Sequence, residues 1–293
     1  MSERGTTALS RPSAHAISRA EFVLFQRLIR TETGISLTDA KRELLVSRLA
    51  PRLRELGLTS FADYYRRIEE GDEAERVQML DRISTNETHF FREPRHFEYL
   101  AQTVLPNRRA QVEGGGLPRE MRAWSCACAT GEEPYSLAMT FLTHLPVASG
   151  WNVRVLGTDI STRALDKAAQ GVWSIERSGT IPAPYLKTFM LRGTRSQEGK
   201  MAAGDELREV VEFRRFNLST ETYPFDAEFD LIFCRNVLIY FDTEARRHVL
   251  EQLTRCLAPD GLLFLGHAET ATGLTGELRS VHPTVYARER SER

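Results

Sequence analysis

Arg122-Ala-Trp-Ser-Cys-Ala-Cys-Ala-Thr-Gly-Glu-Glu-Pro-Tyr-Ser-Leu-Ala138 is the stretch whose reading decides the fold. Its first half is apolar enough for a buried strand, Gly131 permits a tight turn, and a helix opens near Pro134. A strand feeding a turn feeding a helix is how α/β proteins build a small-molecule site. The turn is unlike a phosphate-binding loop, which carries several glycines and a bare helix N-terminus. Here there is a single glycine, and Glu132 and Glu133 stand where a pyrophosphate would lie. Two carboxylates at that place repel a phosphate and attract a cation.

Downstream, strand and helix alternate. Strand patterns cover 122–127, 152–158, 210–217, 229–233, 261–266 and 284–288, and helical patterns cover 134–145, 162–170 and 243–257. Such alternation predicts an α/β domain with a mostly parallel sheet and helices on both faces, a Rossmann-like arrangement. Residues 172–209 break the rhythm with Gly179, Pro182, Pro184, Gly193, Gly199 and Gly204. That is too long for an ordinary loop, so an inserted subdomain with a small antiparallel patch is expected.

Upstream, the pattern is helical only. Phe22, Phe25, Leu28 and Ile29 form one apolar stripe, ended by Gly34, and Leu44, Leu45, Leu49, Leu53 and Leu56 form a second, ended by Gly57. Pro51 inside the second stripe should kink or restart the helix. Ser60 and Asp72 read as N-caps, the latter with Glu75 three residues on as a capping box. A further helix holds Pro94 in its first turn and gives way to a loop over 106–116. The expected organisation is a disordered tail over 1–16, a helical domain over 17–84 and the α/β domain with its linker over 85–293.

Composition bounds the function. Hydrophobic residues at 41% support a real core, and a net charge of -1 argues against bulk binding to nucleic acid or anionic membrane. No apolar run is long enough to span a bilayer, and the first residues lack the apolar core of a signal peptide. Four cysteines, Cys126, Cys128, Cys234 and Cys256, sit within apolar patterns, as in a reduced cytoplasmic protein. Cys126 and Cys128 would share one face of a strand, but no second Cys/His pair lies at zinc spacing, so no metal is expected.

Four other segments carry chemistry. Asp159 ends the second strand, where an acid can accept hydrogen bonds from both ribose hydroxyls or cap the next helix. It lies 28 residues after Gly131, against about 20 in the dinucleotide fingerprint. Asn217-Leu218 ends another strand with a polar and an apolar residue, a pairing that suits adenine and equally suits a strand-end turn. Phe229-Asp-Leu-Ile-Phe-Cys-Arg-Asn-Val-Leu-Ile-Tyr-Phe-Asp242 ends an apolar strand abruptly in Arg235-Asn236, with Tyr240 on a short turn. Ligands of open α/β sheets bind outside the carboxyl ends of the strands, which puts Asn236 at the mouth of the site. Tyr240 belongs there too, or in the core with a wet hydroxyl. The last is Ser84-Thr-Asn-Glu-Thr-His-Phe-Phe-Arg-Glu-Pro94, a polar linker that carries Phe90 and Phe91.

Together these segments resemble the chemotaxis receptor glutamate methyltransferases, the CheR family. The likeness covers nearly the whole chain and rests on Thr130-Gly-Glu-Glu-Pro-Tyr135, on Phe233-Cys-Arg-Asn-Val-Leu-Ile-Tyr-Phe-Asp242 and on the Asn-x-Thr-x-Phe-Phe-Arg linker. It implies an S-adenosylmethionine-dependent methyltransferase domain with a β insertion, preceded by an all-helical domain. The implied reaction transfers a methyl group to glutamate side chains on a receptor's cytoplasmic helical bundle, leaving S-adenosylhomocysteine. The resemblance also implies that Asn86, Thr88 and Arg92 lie against the cofactor, that Glu133 contacts its methionine part and that Asp159 contacts the ribose. Asn217, Leu218, Arg235 and Asn236 would complete the pocket, with Gly131 allowing close backbone approach. Arg92 and Tyr240 are the implied handlers of the substrate carboxylate.

The residues agree with that chemistry. Acids at the glycine turn suit a sulfonium with an ammonium at its amino-acid end. A dehydrogenase is disfavoured by the single glycine and the two glutamates, and a nucleic-acid amino-methyltransferase by Asn236-Val-Leu-Ile in place of an Asn/Asp-Pro-Pro-aromatic turn. A cofactor-binding adaptor without turnover is the alternative from another class, and retention of Arg92 and Tyr240 speaks against it. Lys41, Arg42, Arg48, Arg52 and Arg54 form a basic cluster on the second helix, either a solvated face or a docking surface for an acidic receptor bundle. In part of the family the insertion also docks a receptor tail.

Overall fold

The computed structural model describes residues 16–225 and 229–289, and these divide into two compact units. The tail expected over 1–16 lies outside the described residues, Ala16 apart. The smaller unit takes Ser36–Ile83 with the described part of Met1–Glu32, and the larger takes Thr33–Ile35 with the described part of Ser84–Arg293.

Four helices make up the smaller unit: α1 (Arg19–Thr33), α2 (Arg42–Glu55), α3 (Phe61–Glu69) and α4 (Glu73–Ile83). The stripe Phe22, Phe25, Leu28 and Ile29 is buried, as are Leu45, Leu49 and Leu53 of α2 and Phe61, Tyr64 and Ile68 of α3. Each such side chain contributes about 1.5–3 kcal/mol by leaving water. Two local expectations fall short. Pro51 does not restart α2, which runs through it to Glu55, because the buried leucine stripe on either side outweighs one lost backbone bond. Asp72 does cap α4, accepting from the Glu75 amide at 3.0 Å, but Glu75 makes no return bond. Its carboxylate is instead held by Arg52 and by the Tyr64 hydroxyl.

The larger unit begins its helical layer with α5 (Pro94–Tyr99), a π turn over Leu100–Val104 and α6 (Leu105–Glu113). Residues 106–113 are therefore helical rather than a loop: Pro106 follows the π turn and sits in the first turn of α6. Strand β1 (Glu120–Cys126), helix α7 (Glu132–His144), strand β2 (Asn152–Asp159) and helix α8 (Thr162–Gln170) follow. Then come β3 (Val172–Ser174), α9 (Ala183–Phe189), β4 (Met190–Arg192), β5 (Lys200–Ala203) and α10 (Asp205–Val210). The chain closes with β6 (Val211–Arg215), β7 (Phe229–Cys234), α11 (Thr243–Cys256), β8 (Leu257–Leu265), β9 (Leu278–His282) and β10 (Val285–Arg288).

Seven strands form the main sheet in the order β6-β2-β1-β7-β8-β10-β9. The first five are parallel; β10 runs antiparallel to both β8 and β9. The inserted β3, β5 and β4 form a separate antiparallel sheet. Successive strand residues face opposite layers. Leu231 and Phe233 of β7 join one apolar cluster, with Phe97, Tyr135 and Phe141, while Ile232 and Cys234 join the other, with Trp124, Val249 and Leu253 of α11. Helix α7 is buried along Glu132–Phe141, the mark of a helix covered on all sides.

Chain order reverses at β1. From β1 the path goes outward to β2 and β6, then returns to β7 on the other side. A crevice therefore opens where the turns after β1 and β7 diverge, the place where such sheets bind ligands.

Candidate active site

That crevice holds a small cavity of about 100 Å³ that opens to solvent. Its wall includes Ala127, Cys128, Ala129 and Glu133 after β1, Asp159 and Ile160 at the end of β2, and Arg235, Asn236, Val237 and Tyr240 after β7. The linker adds Asn86, Thr88 and Arg92. Eight of the residues singled out from sequence thus meet in one cleft. Gly131, Asn217 and Leu218 do not line it. A Cβ on Gly131 would lie 2.8 Å from the Ala168 side chain, and its φ is 93°. Its lack of a side chain lets the turn before α7 pack against Ala168 of α8. Asn217 turns its Oδ1 to the Ser219 amide and hydroxyl, and Leu218 is buried in the second apolar cluster. Both nevertheless follow a backbone bond from Phe216 to the Asp159 carbonyl, at 3.0 Å.

The backbone around the cleft is strained. Five of the seven non-glycine residues with positive φ among those described are Phe91, Glu93, Ala127, Ala129 and Asn236. Each such conformation costs on the order of 1–3 kcal/mol and persists only when its surroundings hold it. The Ala129 amide donates to Asp159 Oδ2 at 2.9 Å, while Asp159 Oδ1 accepts from the Ser161 amide. Glu269 holds Asn236: its buried carboxylate accepts from the amides of Asn236 and Gly266 at 2.8 and 2.7 Å. Burial pushes the Glu269 pKa up, against the pull of those donors.

Arg235 is the hub. Its Nε donates to Glu133 Oε2 at 2.7 Å, and Glu133 Oε1 accepts from the Ser125 hydroxyl at 2.7 Å. Its Nη1 donates to the Arg92 carbonyl at 2.8 Å and to His96 Nδ1 at 3.0 Å, with Glu93 Oε2 at 3.4 Å. Its Nη2 is buried and has no protein partner, the only such atom on a residue lining the cleft among those described. Burial opposes ionisation of Glu93, but Arg235, the Asn236 amide group and the His267 amide outweigh it and hold the pKa below the usual value. Burial, with Arg235 beside it, pushes the His96 pKa down to about 4. Glu93, His96 and His267 bring their ligand atoms within 4.8 Å of one another, but Arg235 Nη1 already puts a fixed cation against two of them.

Phe90 and Phe91 anchor the linker. Phe90 meets Trp173 edge-on with ring centroids 5.0 Å apart, and Phe91 stacks on Tyr185 at 5.1 Å. The Phe91 amide donates to Ser136 of α7 at 3.0 Å. Arg177 of the insertion donates to the Thr88 carbonyl and pairs with Glu132. Glu132 thereby ties the insertion to α7.

Cys128 lies in the turn past the end of β1, so it shares no strand face with Cys126. Cys126 instead sits opposite Cys234 on β7, and burial raises the pKa of Cys126 and Cys128 well above the ordinary thiol value.

Of the residues that matter here, Glu93, His96, Ser125 and Glu269 were not singled out from sequence. Glu269 had a signal: it follows the end of a strand at the ligand edge of the sheet.

Comparison with known proteins gives the same direction. Residues 86–287 match the family described as CheR methyltransferase, SAM binding domain, and residues 20–84 match CheR methyltransferase, all-alpha domain. Chemotaxis protein methyltransferase 2 of Pseudomonas aeruginosa is 41% identical over 92% of this chain and 93% of its own length. The chemotaxis protein methyltransferase of Escherichia coli is 39% identical over 93% of this chain and 92% of its own. That of Borreliella burgdorferi is 34% identical over 92% and 94%. With both domains matched and relatives alike over nearly their full length, the chain belongs to the CheR family of chemotaxis methyltransferases, and its larger unit carries the S-adenosylmethionine-binding domain.

Proposed function

We propose that this chain methylates glutamate side chains of chemoreceptors at the cleft between β1 and β7, forming methyl esters. The observation that carries the reading is the half-used guanidinium of Arg235. It is fixed on one side by Glu133 and on another by His96 and the Arg92 carbonyl, and its Nη2 edge has no acceptor. A buried donor without a partner costs about 1–3 kcal/mol, and a ligand carboxylate would remove that cost. S-adenosylmethionine offers one at its amino-acid end and supplies the activated methyl group.

The chain's own residues then divide the work. Arg235 and Glu133 hold the two charges of the amino-acid end. Asp159, its two oxygens oriented by backbone amides, faces the ribose of the cofactor. Asn86 and Thr88 close the cleft from the linker; Asn217 and Leu218 stand outside its wall and back the Asp159 turn, which the Phe216 amide joins. The cavity-lining Asn236, fixed by Glu269 and Glu93, completes the floor.

A substrate glutamate has an unperturbed pKa of about 4.3 and is ionised at neutral pH, so no general base is required. Consistently, no histidine lines the cleft among the described residues. What remains is orientation, which is worth most when the reacting atoms are held about 3 Å apart in line. Arg92, half-buried at the cleft with its Nη1 on the Glu87 carbonyl, positions the carboxylate, and Tyr240 donates one hydrogen bond to it.

The test uses receptor-containing membranes and methyl-labelled S-adenosylmethionine. The expected product is label on the receptor that alkali releases as methanol, the signature of a carboxyl ester. Alkali-stable label, or cofactor binding with no transfer to any receptor tried, would overturn the assignment.

A further inference from the structure

We infer that His96 is a positioning residue for the cofactor, acting through Arg235 and never touching the ligand itself. The inference rests on Arg235 being a cofactor contact. An arginine has five N–H donors and no acceptor. The single Nε–H of Arg235 is taken by Glu133, and Nη1 serves the Arg92 carbonyl, His96 Nδ1 and, at 3.4 Å, Glu93. Only the Nη2 pair is left. The direction in which that pair points is set jointly by what grips Nε and Nη1, and of the Nη1 partners His96 is the one buried side chain fixed at its far end.

Because arginine can only donate, Nδ1 of His96 must accept. Its proton therefore sits on Nε2, which donates to the Thr284 hydroxyl at 2.8 Å. Thr284 is itself held in the left-handed region, with a φ of 58°, where its carbonyl accepts from the Leu265 amide at the end of β8. A line of hydrogen bonds thus runs from Thr284 through His96 and Arg235 to Glu133 and Ser125, linking the turn before β10 to β7, α7 and β1. The imidazole is packed edge-on against Phe264 at 5.5 Å and buried, which fixes its plane. Glu93, in its own left-handed conformation, accepts the His96 backbone amide on its carbonyl at 3.0 Å and so sets the start of α5, from which the ring projects.

The experiment is calorimetric titration of the full chain with S-adenosylhomocysteine, together with the melting temperature of the free protein, for His96→Asn, His96→Gln and His96→Leu. Asparagine puts an amide oxygen near the place of Nδ1 and keeps an acceptor for Arg235. Glutamine reaches toward Thr284 and leaves Arg235 Nη1 short of one acceptor, and leucine supplies none. Affinity of His96→Asn within about threefold of wild type is expected, with a loss of about tenfold or more in the other two, the size of one hydrogen bond to a charged group. All three lose thermal stability, so affinity and melting temperature part company. If affinity instead tracks melting temperature across the series, or if His96→Leu binds as tightly as wild type, the positioning role is overturned. Receptor methylation does not enter this measurement: binding as expected without methyl transfer would sink only the proposed reaction. A wild-type chain that fails to bind S-adenosylhomocysteine would sink the cofactor contact and this inference together.

Discussion

Two arginine–glutamate pairs with buried carboxylates, one in each unit, make opposite use of the same chemistry. In the smaller unit Arg52 grips Glu75 in fork fashion, Nε to Oε1 at 2.9 Å and Nη2 to Oε2 at 2.6 Å. The Tyr64 hydroxyl donates to the same carboxylate, and Arg52 Nη1 goes to Glu55. Every nitrogen of that guanidinium has a partner inside the protein. In the larger unit Arg235 also binds a glutamate, but through Nε alone, and its Nη2 has no partner. A closed pair like the first holds helices together. An open pair like the second holds an arginine still for something else. The sequence around each shows only an arginine and a glutamate far apart in number; the difference lies in what the third nitrogen finds.

The largest expected effect breaks the closed pair. Glu75→Ala leaves Arg52 with Glu55 alone and the buried Tyr64 hydroxyl with no acceptor. Breaking a buried pair costs roughly 3–5 kcal/mol, and Arg52 is partly exposed, so a loss of about 2–3 kcal/mol is expected by denaturant unfolding. S-adenosylhomocysteine affinity should not change. A fall in affinity beside that in stability would mean that the two pairs are not independent. The next effect tests the open pair. Arg235→Lys keeps the charge but loses the planar fork, so it serves Glu133 or the ligand and not both. Affinity for S-adenosylhomocysteine should drop about 10–100-fold, near 1.4–2.8 kcal/mol, at a smaller cost in stability than Glu75→Ala. Equal affinity of Lys and Arg would show that the free Nη2 edge has no ligand.

The same contrast marks what could be read in the sequence. Strand β1, the turn at Gly131 and α7 were legible because an apolar run, one glycine and a proline in the first turn each follow local rules. Helix α8 matched residue for residue, since Ser161 caps it and Gly171 ends it. Strand β9 was not legible: Leu-Arg-Ser-Val-His at the sheet edge is largely exposed and carries no alternation. The cleft itself followed from one topological rule, that the ends of β1, β2 and β7 meet at the reversal of strand order, which brought Glu133, Asp159, Arg235 and Asn236 together. His96 was invisible because its partners, Arg235 and Thr284, lie 139 and 188 residues away. Glu75 was misread for the complementary reason. Its local pattern fits a capping box, and a distant arginine with a tyrosine hydroxyl offered more than one backbone amide did.

Tyr240 lets the open side be divided further. It lines the cleft beside Val237 and is only half-buried. If it handles the substrate carboxylate, Tyr240→Phe should lower kcat about tenfold, one hydrogen bond in the transition state, and leave cofactor affinity within about twofold. Equal losses in both would make it part of the cofactor wall, on the same footing as Arg235.

The smallest effect concerns the basic cluster of α2, and there the closed pair changes which residues are available. Arg52 is taken by Glu75 and Glu55, Arg48 donates to the Ile83 carbonyl and Arg42 to the Ile17 carbonyl. Reversing Arg48 or Arg52 would therefore disturb the helical unit before it disturbed any docking. Lys41 and Arg54 are exposed, so a receptor bundle rich in glutamate would meet these two first. Surface charges act mainly on encounter and are screened within about 8 Å at physiological salt. Lys41→Glu with Arg54→Glu should then raise the receptor KM about two- to fivefold at low salt, with the difference shrinking as salt rises, and leave the melting temperature and the cofactor affinity alone. A receptor KM that stays put at low salt would make the basic face of α2 a solvated one, with the helix serving the core through its leucines and the Arg52–Glu75 pair.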